Sequence, residues 1–352
     1  MAKVLILGAG MMGTALAQPL CDRGHEVRLV GTWKDADLVQ GMKADRTHAK
    51  LGIKLHDRVS VWTHDELPTA LQGVEAVALG VSSAGIKWAC EALNGVLDRA
   101  LPIFMITKGL ELHGTELRTL PDVVAGSFTG ALRDSLHPAA IAGPCIAGEL
   151  ARCVPTCVVL TGRSESTNRW LVELLQGPYY KVFPTTDVVG VEVCAALKNA
   201  FAMGIAFAEG LHKKAGGSSG SVAMHNLESA VFAQAALEMR WLTRALGSSG
   251  DSAVGLAGVG DLDVTTNGGR TGRFGRLLGE GLSVEQAIAR MDGATLECLE
   301  ILRVVERAFE VGAFGSVGRT QCPLLSHLIE VALHNEAVAI PLDRFFAAEL
   351  SR

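Results

Sequence analysis

The chain has few aromatic residues, 5%, and its eight cysteines include no CxxC pair. Cys153 and Cys157 stand closest, with no histidine nearby to complete a zinc pattern. No metal is therefore expected, and the thiols read as reduced structural groups of a cytoplasmic protein. Net charge is small, −5 over 352 residues, which gives no reason to expect nucleic acid or a membrane surface as a partner. No uncharged run is long enough to span a bilayer, so no membrane insertion is expected. Lys3 leads at once into a short apolar run and then glycines, so no secretory leader is expected either. His327 and His334 fall near one helical face but lack a third ligand, and read as structural.

What the chain does have is glycine, 40 residues, in a sequence that is 49% apolar. Its length accommodates two domains with a substantial core. Abundant glycine without collagen-like repetition suits an α/β protein with tight strand-to-helix turns.

Lys3–Leu7, KVLIL, reads as a strand and runs into Gly8-Ala9-Gly10-Met11-Met12-Gly13. Thr14–Arg23 then reads as a helix stopped by Gly24, and Glu26–Gly31 as a second strand. This is the dinucleotide fingerprint in its required setting of strand, G-x-G-x-x-G, helix and strand. Gly8 serves the tight turn, Gly10 the approach of backbone to pyrophosphate, and Gly13 the close packing of helix on strand. The helix N-terminus supplies donors and partial positive charge. The second strand ends Val30-Gly31-Thr32-Trp33-Lys34, with no acid before Asp35. An acid there would mark NAD, so Thr32 and Lys34 lean the cofactor towards NADP; the other reading makes Lys34 a solvated loop residue. Further strands are expected at Val74–Val81, Pro102–Ile106, Ala140–Ala142, Thr156–Leu160 and Tyr180–Pro184. The third ends in Ser82-Ser83 and the fourth in Thr107-Lys108-Gly109, at the carboxyl edge where open α/β sheets bind ligands; a surface charge is the plainer reading of Lys108. Residues 1–186 are thus expected to form a doubly wound, Rossmann-type dinucleotide-binding domain.

From residue 187 to 352 strand signals almost vanish, and an all-helical substrate-binding domain is expected. Its helices are Val222–Leu246, Ser283–Arg290, Glu297–Val311 and Leu324–His334, after a flexible loop at Lys213–Ser221. The first helix, Asp187–Gly210, is read as one long rod with Asp187 as N-cap. Between Glu192 and Glu209 its only charge is Lys198, followed by Asn199. A lysine in such surroundings pairs, lowers its pKa or faces a cleft; otherwise it snorkels to the surface or meets a distant carboxylate. The stretch Gly258–Arg273, GVGDLDVTTNGGRTGR, combines glycines and small hydroxyl groups with two arginines. It suits phosphate binding by backbone N–H groups and a guanidinium, with Asp261 as a candidate partner of Lys198; an ordinary helix connection is the alternative.

Taken together, GAGMMG, ITKGLE, AGPCIAGE, ALKNAFAMG, GVGDLDVTTNGGRTGR and Thr295-Leu296-Glu297 resemble the NAD(P)-dependent sn-glycerol-3-phosphate dehydrogenases over nearly the whole chain. The GGR form looks like archaeal and eukaryotic members more than typical bacterial ones. The resemblance implies that Lys198 is the catalytic acid/base, with Lys108 and Asp261 as further catalytic groups. It implies that Asn199, Thr265, Arg270 and Thr271 bind substrate. NAD or NADP would be held by Gly8, Ala9, Gly10, Met11, Met12, Gly13, Thr32, Trp33, Ser82, Lys108, Ala147, Arg270 and Glu297.

The substrate implied is small and phosphorylated, most simply dihydroxyacetone phosphate, reduced at C2 while a protonated Lys198 polarises the carbonyl. Lys108 is the expected cationic neighbour that would lower the Lys198 pKa, and a homodimer is the default assembly. Departures from the family pattern are Thr271 for asparagine, Cys145 for serine, Cys298 for glycine, and Glu228 and Gln234 for a lysine and an arginine. They leave open a related polyol phosphate, phosphonate or hydroxyacid as substrate. An inactive dinucleotide-binding sensor is the alternative of another class, although cofactor binding alone needs none of Lys108, Lys198, Asn199, Asp261 and Arg270 together.

Overall fold

A computed structural model describes residues 1–218, 224–291, 293 and 296–347. The end of the expected Lys213–Ser221 loop, the start of the expected helix at Val222 and Thr295 of the late motif lie outside the described residues. The chain divides into two compact units, Met1–Gly109 with Thr119–Val188, and Leu110–Arg118 with Val189–Arg352.

The strands are β1 Lys3–Leu7, β2 Glu26–Val30, β3 Thr47–His48, β4 Ile53–Lys54, β5 Val59–Trp62 and β6 Ala76–Leu79. They continue as β7 Ile103–Met105, β8 Leu110–His113, β9 Glu116–Thr119, β10 Ala139–Ala142, β11 Thr156–Gly162 and β12 Tyr180–Thr185. The first unit is built on an eight-stranded sheet in the order β12-β11-β10-β7-β6-β1-β2-β5. Within β1, Val4 and Ile6 join one buried cluster and Leu5 and Leu7 another, so alternate residues serve two covered faces. That is why these strands read as unbroken apolar runs. β5 extends the sheet beyond β2 and was not among the expected strands.

The sheet is mostly parallel, with one reversal: β11 runs antiparallel to β10. The link between them holds only the four-residue helix Ala147–Leu150, short of the full helical crossover that parallel neighbours use. The hairpin β8–β9 inserts in the sequence of the first unit, yet residues 110–118 cluster with the second.

Apart from that hairpin, the second unit is helical among the described residues. The helices that concern the site there, and the first helix of the chain, are α1 Met11–Asp22, α2 Val188–Ile205, α3 Phe207–Lys214, α4 His225–Ala245, α5 Asp261–Gly268, α6 Arg270–Gly279, α7 Glu297–Glu310 and α8 Pro323–His334. The expected single rod is thus two helices, divided at Ala206, where ψ is −11° and the α geometry relaxes. Val188–Lys214 is apolar enough over 27 residues to cross a membrane by composition, but 94% of its most apolar window is buried inside the protein. A helix that is apolar all round belongs in a core.

Glycine sets how closely the second unit's helices cross. A Cβ on Gly275 would lie 2.2 Å from the Met203 carbonyl oxygen, and one on Gly210 would lie 2.3 Å from the Arg276 oxygen. Helix α6 therefore packs backbone to backbone against α2 and α3, which fixes the position of its first residue, Arg270. The RTGRFGRLLGEG spacing carries this signal in the sequence.

Candidate active site

In the first unit, Leu7 pairs with Val30 and with Leu79, and Leu79 pairs with Met105. These strands end level, so Gly8–Gly13, Thr32, Trp33, Ser82 and Lys108 follow from one edge of the sheet. β1 has β6 on one side and β2 on the other, the switch point at which doubly wound sheets bind ligands. Gly8 has φ +119°, and a Cβ there would strike the Gly80 carbonyl carbon at 2.5 Å. One on Gly13 would strike the Gly8 oxygen at 2.2 Å. Gly10 differs: a Cβ there meets nothing within 4 Å. Gly10 is also the N-cap of α1, whose first turn has no acidic residue and no side-chain cap. Open space over uncapped N–H groups fits a dinucleotide pyrophosphate. Met11 is exposed, and Met12 and Ala147 pack against the same cluster as Val4 and Ile6.

Beyond β2, the Thr32 hydroxyl donates to the Asp35 carboxylate at 2.8 Å and accepts the Lys34 N–H at 3.2 Å. Asp35 also accepts the Thr32 N–H at 3.0 Å. The one acid at this end of the strand is thereby turned onto its own turn. Lys34 stays exposed, its Nζ 5.6 Å from the Trp33 ring centroid, and Trp33 meets Trp88 edge-on at 4.8 Å.

In the second unit, Lys198 is 7% exposed and Asp261 2% exposed, and the two form an ion pair. Asp261 is the first residue of α5, and a π-helical turn at Leu256–Gly260 runs directly into it. Asn199, one residue on, donates from Nδ2 to Glu297 at 2.9 Å, at the start of α7. The Thr265 hydroxyl donates to the Asp261 carbonyl at 2.7 Å. Arg270 opens α6, is exposed and has no side-chain partner among the described residues. A guanidinium free at a helix start is equipped to take an anion. Lys198, Asn199, Asp261 and Glu297 are thus joined directly, and Thr265 through backbone. Lys108 is half-buried in the first unit. No group of possible metal ligands occurs among the described residues.

A family model described as NAD-dependent glycerol-3-phosphate dehydrogenase N-terminus matches residues 3–168, and the C-terminus model of the same name matches 187–341. The chain belongs to this family. It is accordingly an NAD(P)-dependent oxidoreductase acting on a CH–OH group. Among similar proteins is the NADP(+)-dependent glycerol-3-phosphate dehydrogenase of Archaeoglobus fulgidus, 36% identical over 88% of this chain and 90% of the relative. The glycerol-3-phosphate dehydrogenase [NAD(P)+] of Pseudomonas entomophila is 30% identical over 93% of each chain. In the crystal structure of glycerol-3-phosphate dehydrogenase from Coxiella burnetii, the same fold covers 100% of this chain and 99% of that one, with a TM-score of 0.81 and 27% identity.

The departures from the dehydrogenase pattern are mostly turned inward. Gln234 is 1% exposed and donates to Glu238 at 2.8 Å. Glu238 in turn accepts the Leu324 and Leu325 N–H groups at 2.7 and 2.8 Å, capping α8 from α4. Burial pushes the Glu238 carboxyl up to about 7. Glu228 pairs with His225 at 3.1 Å and lies near Glu209 and Arg276; burial raises its carboxyl. Cys145 packs beside the core cluster of the first unit. Thr271 and Cys298 are both buried, and burial drives the Cys298 thiol up to about 12.

Proposed function

We propose that Lys198 is the general acid/base of a reversible hydride exchange between NAD(P)H and C2 of dihydroxyacetone phosphate, giving sn-glycerol 3-phosphate. The nicotinamide supplies the hydride. The Lys198 ammonium polarises the carbonyl and gives its proton to the developing alkoxide oxygen; in the other direction the amine takes it back. Asp261 holds the ammonium in place. Arg270 takes the phosphate, while Asn199, Thr265 and Lys108 orient the rest of the substrate. Gly8–Gly13 and the first turn of α1 hold the cofactor pyrophosphate, with Thr32, Trp33 and Ser82 along the same edge and Ala147, Arg270 and Glu297 as further contacts.

The observation that carries this reading is the buried Lys198–Asp261 pair on a helix otherwise free of charge at that level. An ion pair in such surroundings is poor stabilisation for its cost in desolvation, and that points to chemistry. Lys198→Met tests it: kcat should fall by at least about 10²-fold with cofactor binding retained. Turnover within tenfold of wild type would reject the assignment. A cytoplasmic location, a homodimer and residues 187–352 acting as the substrate-binding domain belong to the same reading. Fractionation, light scattering and separate expression of the two segments examine them.

A further inference from the structure

We infer that a cavity in the second unit is a second ligand site, for an aromatic organic anion: a flat apolar ring system carrying one carboxylate or phosphate. The cavity has a volume of about 620 Å³, within the range of small-ligand sites. Its walls come from the end of α4 with Trp241 and Arg244, from residues 316–321 leading into α8, and from the short helix Leu342–Phe345 with Arg344 and Phe345. None of Lys198, Asn199, Asp261, Thr265, Arg270 and Glu297 lines it, so the proposed chemistry leaves it unused.

Charge decides the class of ligand. Two guanidiniums line the cavity, and among the described residues no carboxylate does. Arg244 donates from Nε to the Ser249 carbonyl at 2.9 Å, which holds its guanidinium in place and leaves the Nη groups without a partner among the described residues. Arg344 is exposed and has no side-chain partner among them. The Trp241 indole N–H is a further donor with none. The nearest acid along α4, Glu238, is buried and engaged by Gln234 and by the Leu324 and Leu325 N–H groups. Donors and positive charge without an acceptor fit an anion, and guanidinium forks suit carboxylate or phosphate. Trp241, Phe345, Val317 and Pro323 supply apolar wall, which fits a ring. A second copy of the chain fits less well, since an isologous contact would bring two further arginines to the same patch.

The walls are also fixed. Arg319 pairs with Glu306 at 2.9 Å and with Glu330 at 2.5 Å, and the Ser326 hydroxyl donates to the Arg319 carbonyl at 2.9 Å. The segment is thereby bound to α7 and α8. Phe345 is buried, and its ring lies 5.8 Å from that of His327 on α8. A preformed site asks little ordering of the protein when a ligand enters.

Calorimetric titration of the full chain tests this, with NADPH saturating so that the dinucleotide site is closed to rings. The probes are naphthoate and naphthyl phosphate, with naphthylmethanol and naphthylmethylammonium as the neutral and cationic forms of the same ring. At least one anion should bind at one site per chain, about 10-fold or more tighter than the neutral ring, the scale of one charge-assisted hydrogen bond. Arg344→Ala should remove that advantage and leave kcat unchanged, while Trp241→Ala should weaken anion and alcohol alike. If Trp241→Ala does not fold, the charge series and Arg344→Ala decide alone.

Equal affinity for the anionic and neutral rings would overturn the inference. So would an Arg344→Ala protein that binds the anions as the wild type does. A wild-type dimer that Arg344→Ala dissociates would also overturn it, because the face would then belong to a second copy. These binding results stand whether or not the protein turns over dihydroxyacetone phosphate.

Discussion

Asn199 donates to the Glu297 carboxylate across 2.9 Å, from the residue that immediately follows Lys198. The bond ties α2 to the first residue of α7. The rotation of α2 about its axis aims the Lys198 side chain, and this bond is one of the contacts that hold that rotation. Glu297 is exposed, so water competes for its carboxylate and the bond is worth on the order of 1 kcal/mol. Asn199→Ala should lower kcat/KM by about tenfold, read in steady-state kinetics. An unchanged value would show that α2 is aimed by other contacts.

Two glycine substitutions should separate folding from cofactor binding. Gly275→Ala places a methyl group 2.2 Å from the Met203 carbonyl oxygen, and the neighbour is backbone that cannot turn aside. Helices α2 and α6 must part, at a cost of about 1–3 kcal/mol, seen as a lowered denaturant midpoint. Gly10→Ala meets no protein atom within 4 Å, so the unfolding midpoint should hold while nucleotide affinity falls. The reverse pattern, measured by denaturation and nucleotide titration, would contradict the assigned roles.

Stability should carry a proton linkage at Glu238. Burial raises its carboxyl from an ordinary 4.5 to about 7, so the folded state binds the proton more tightly than the unfolded one. This group's contribution is then full below about pH 4.5, is lost as pH rises to about 7, and is constant above. The change is roughly 3 kcal/mol at most. Glu238→Gln should flatten stability across that window, as measured by urea midpoints at pH 5 and pH 8. Equal slopes in variant and wild type would assign the linkage elsewhere.

Cofactor choice should respond to Lys34. Asp35 is occupied by Thr32, and Lys34 is the exposed cation at the end of β2. Lys34→Ala should weaken NADPH by about 2- to 5-fold, the scale of one exposed charge contact, and leave NADH almost unchanged. Fluorescence titration of the two reduced cofactors measures it. Equal effects on both would remove Lys34 from 2′-phosphate recognition.

Much of the first unit is legible because its signals are local. The run KVLIL followed by GAGMMG needs no distant information, and the buried strands announce themselves by unbroken apolar runs. β5 is less legible because Val59–Trp62 sits at the sheet edge with a mixed burial pattern. The hairpin at Leu110–Arg118 defeats reading in order, since its strands follow β7 in sequence and join the other unit in space. Ala206 shows the same limit: the helical pattern runs on unbroken through Asp187–Gly210, and nothing in the sequence marks the division there.

Composition and spacing alone determined that a dinucleotide loop opens the chain, that one lysine lies stranded in an apolar helix, and that a glycine-rich stretch ends in arginines. These follow from backbone sterics and from the cost of burying charge, which act residue by residue. Only the tertiary structure decided which partners those side chains take: Asp261 for Lys198 and Glu297 for Asn199. Such partners stand tens of positions apart. A hydrogen bond or ion pair depends on ångström-scale distance and direction, which helix packing sets and periodicity does not encode.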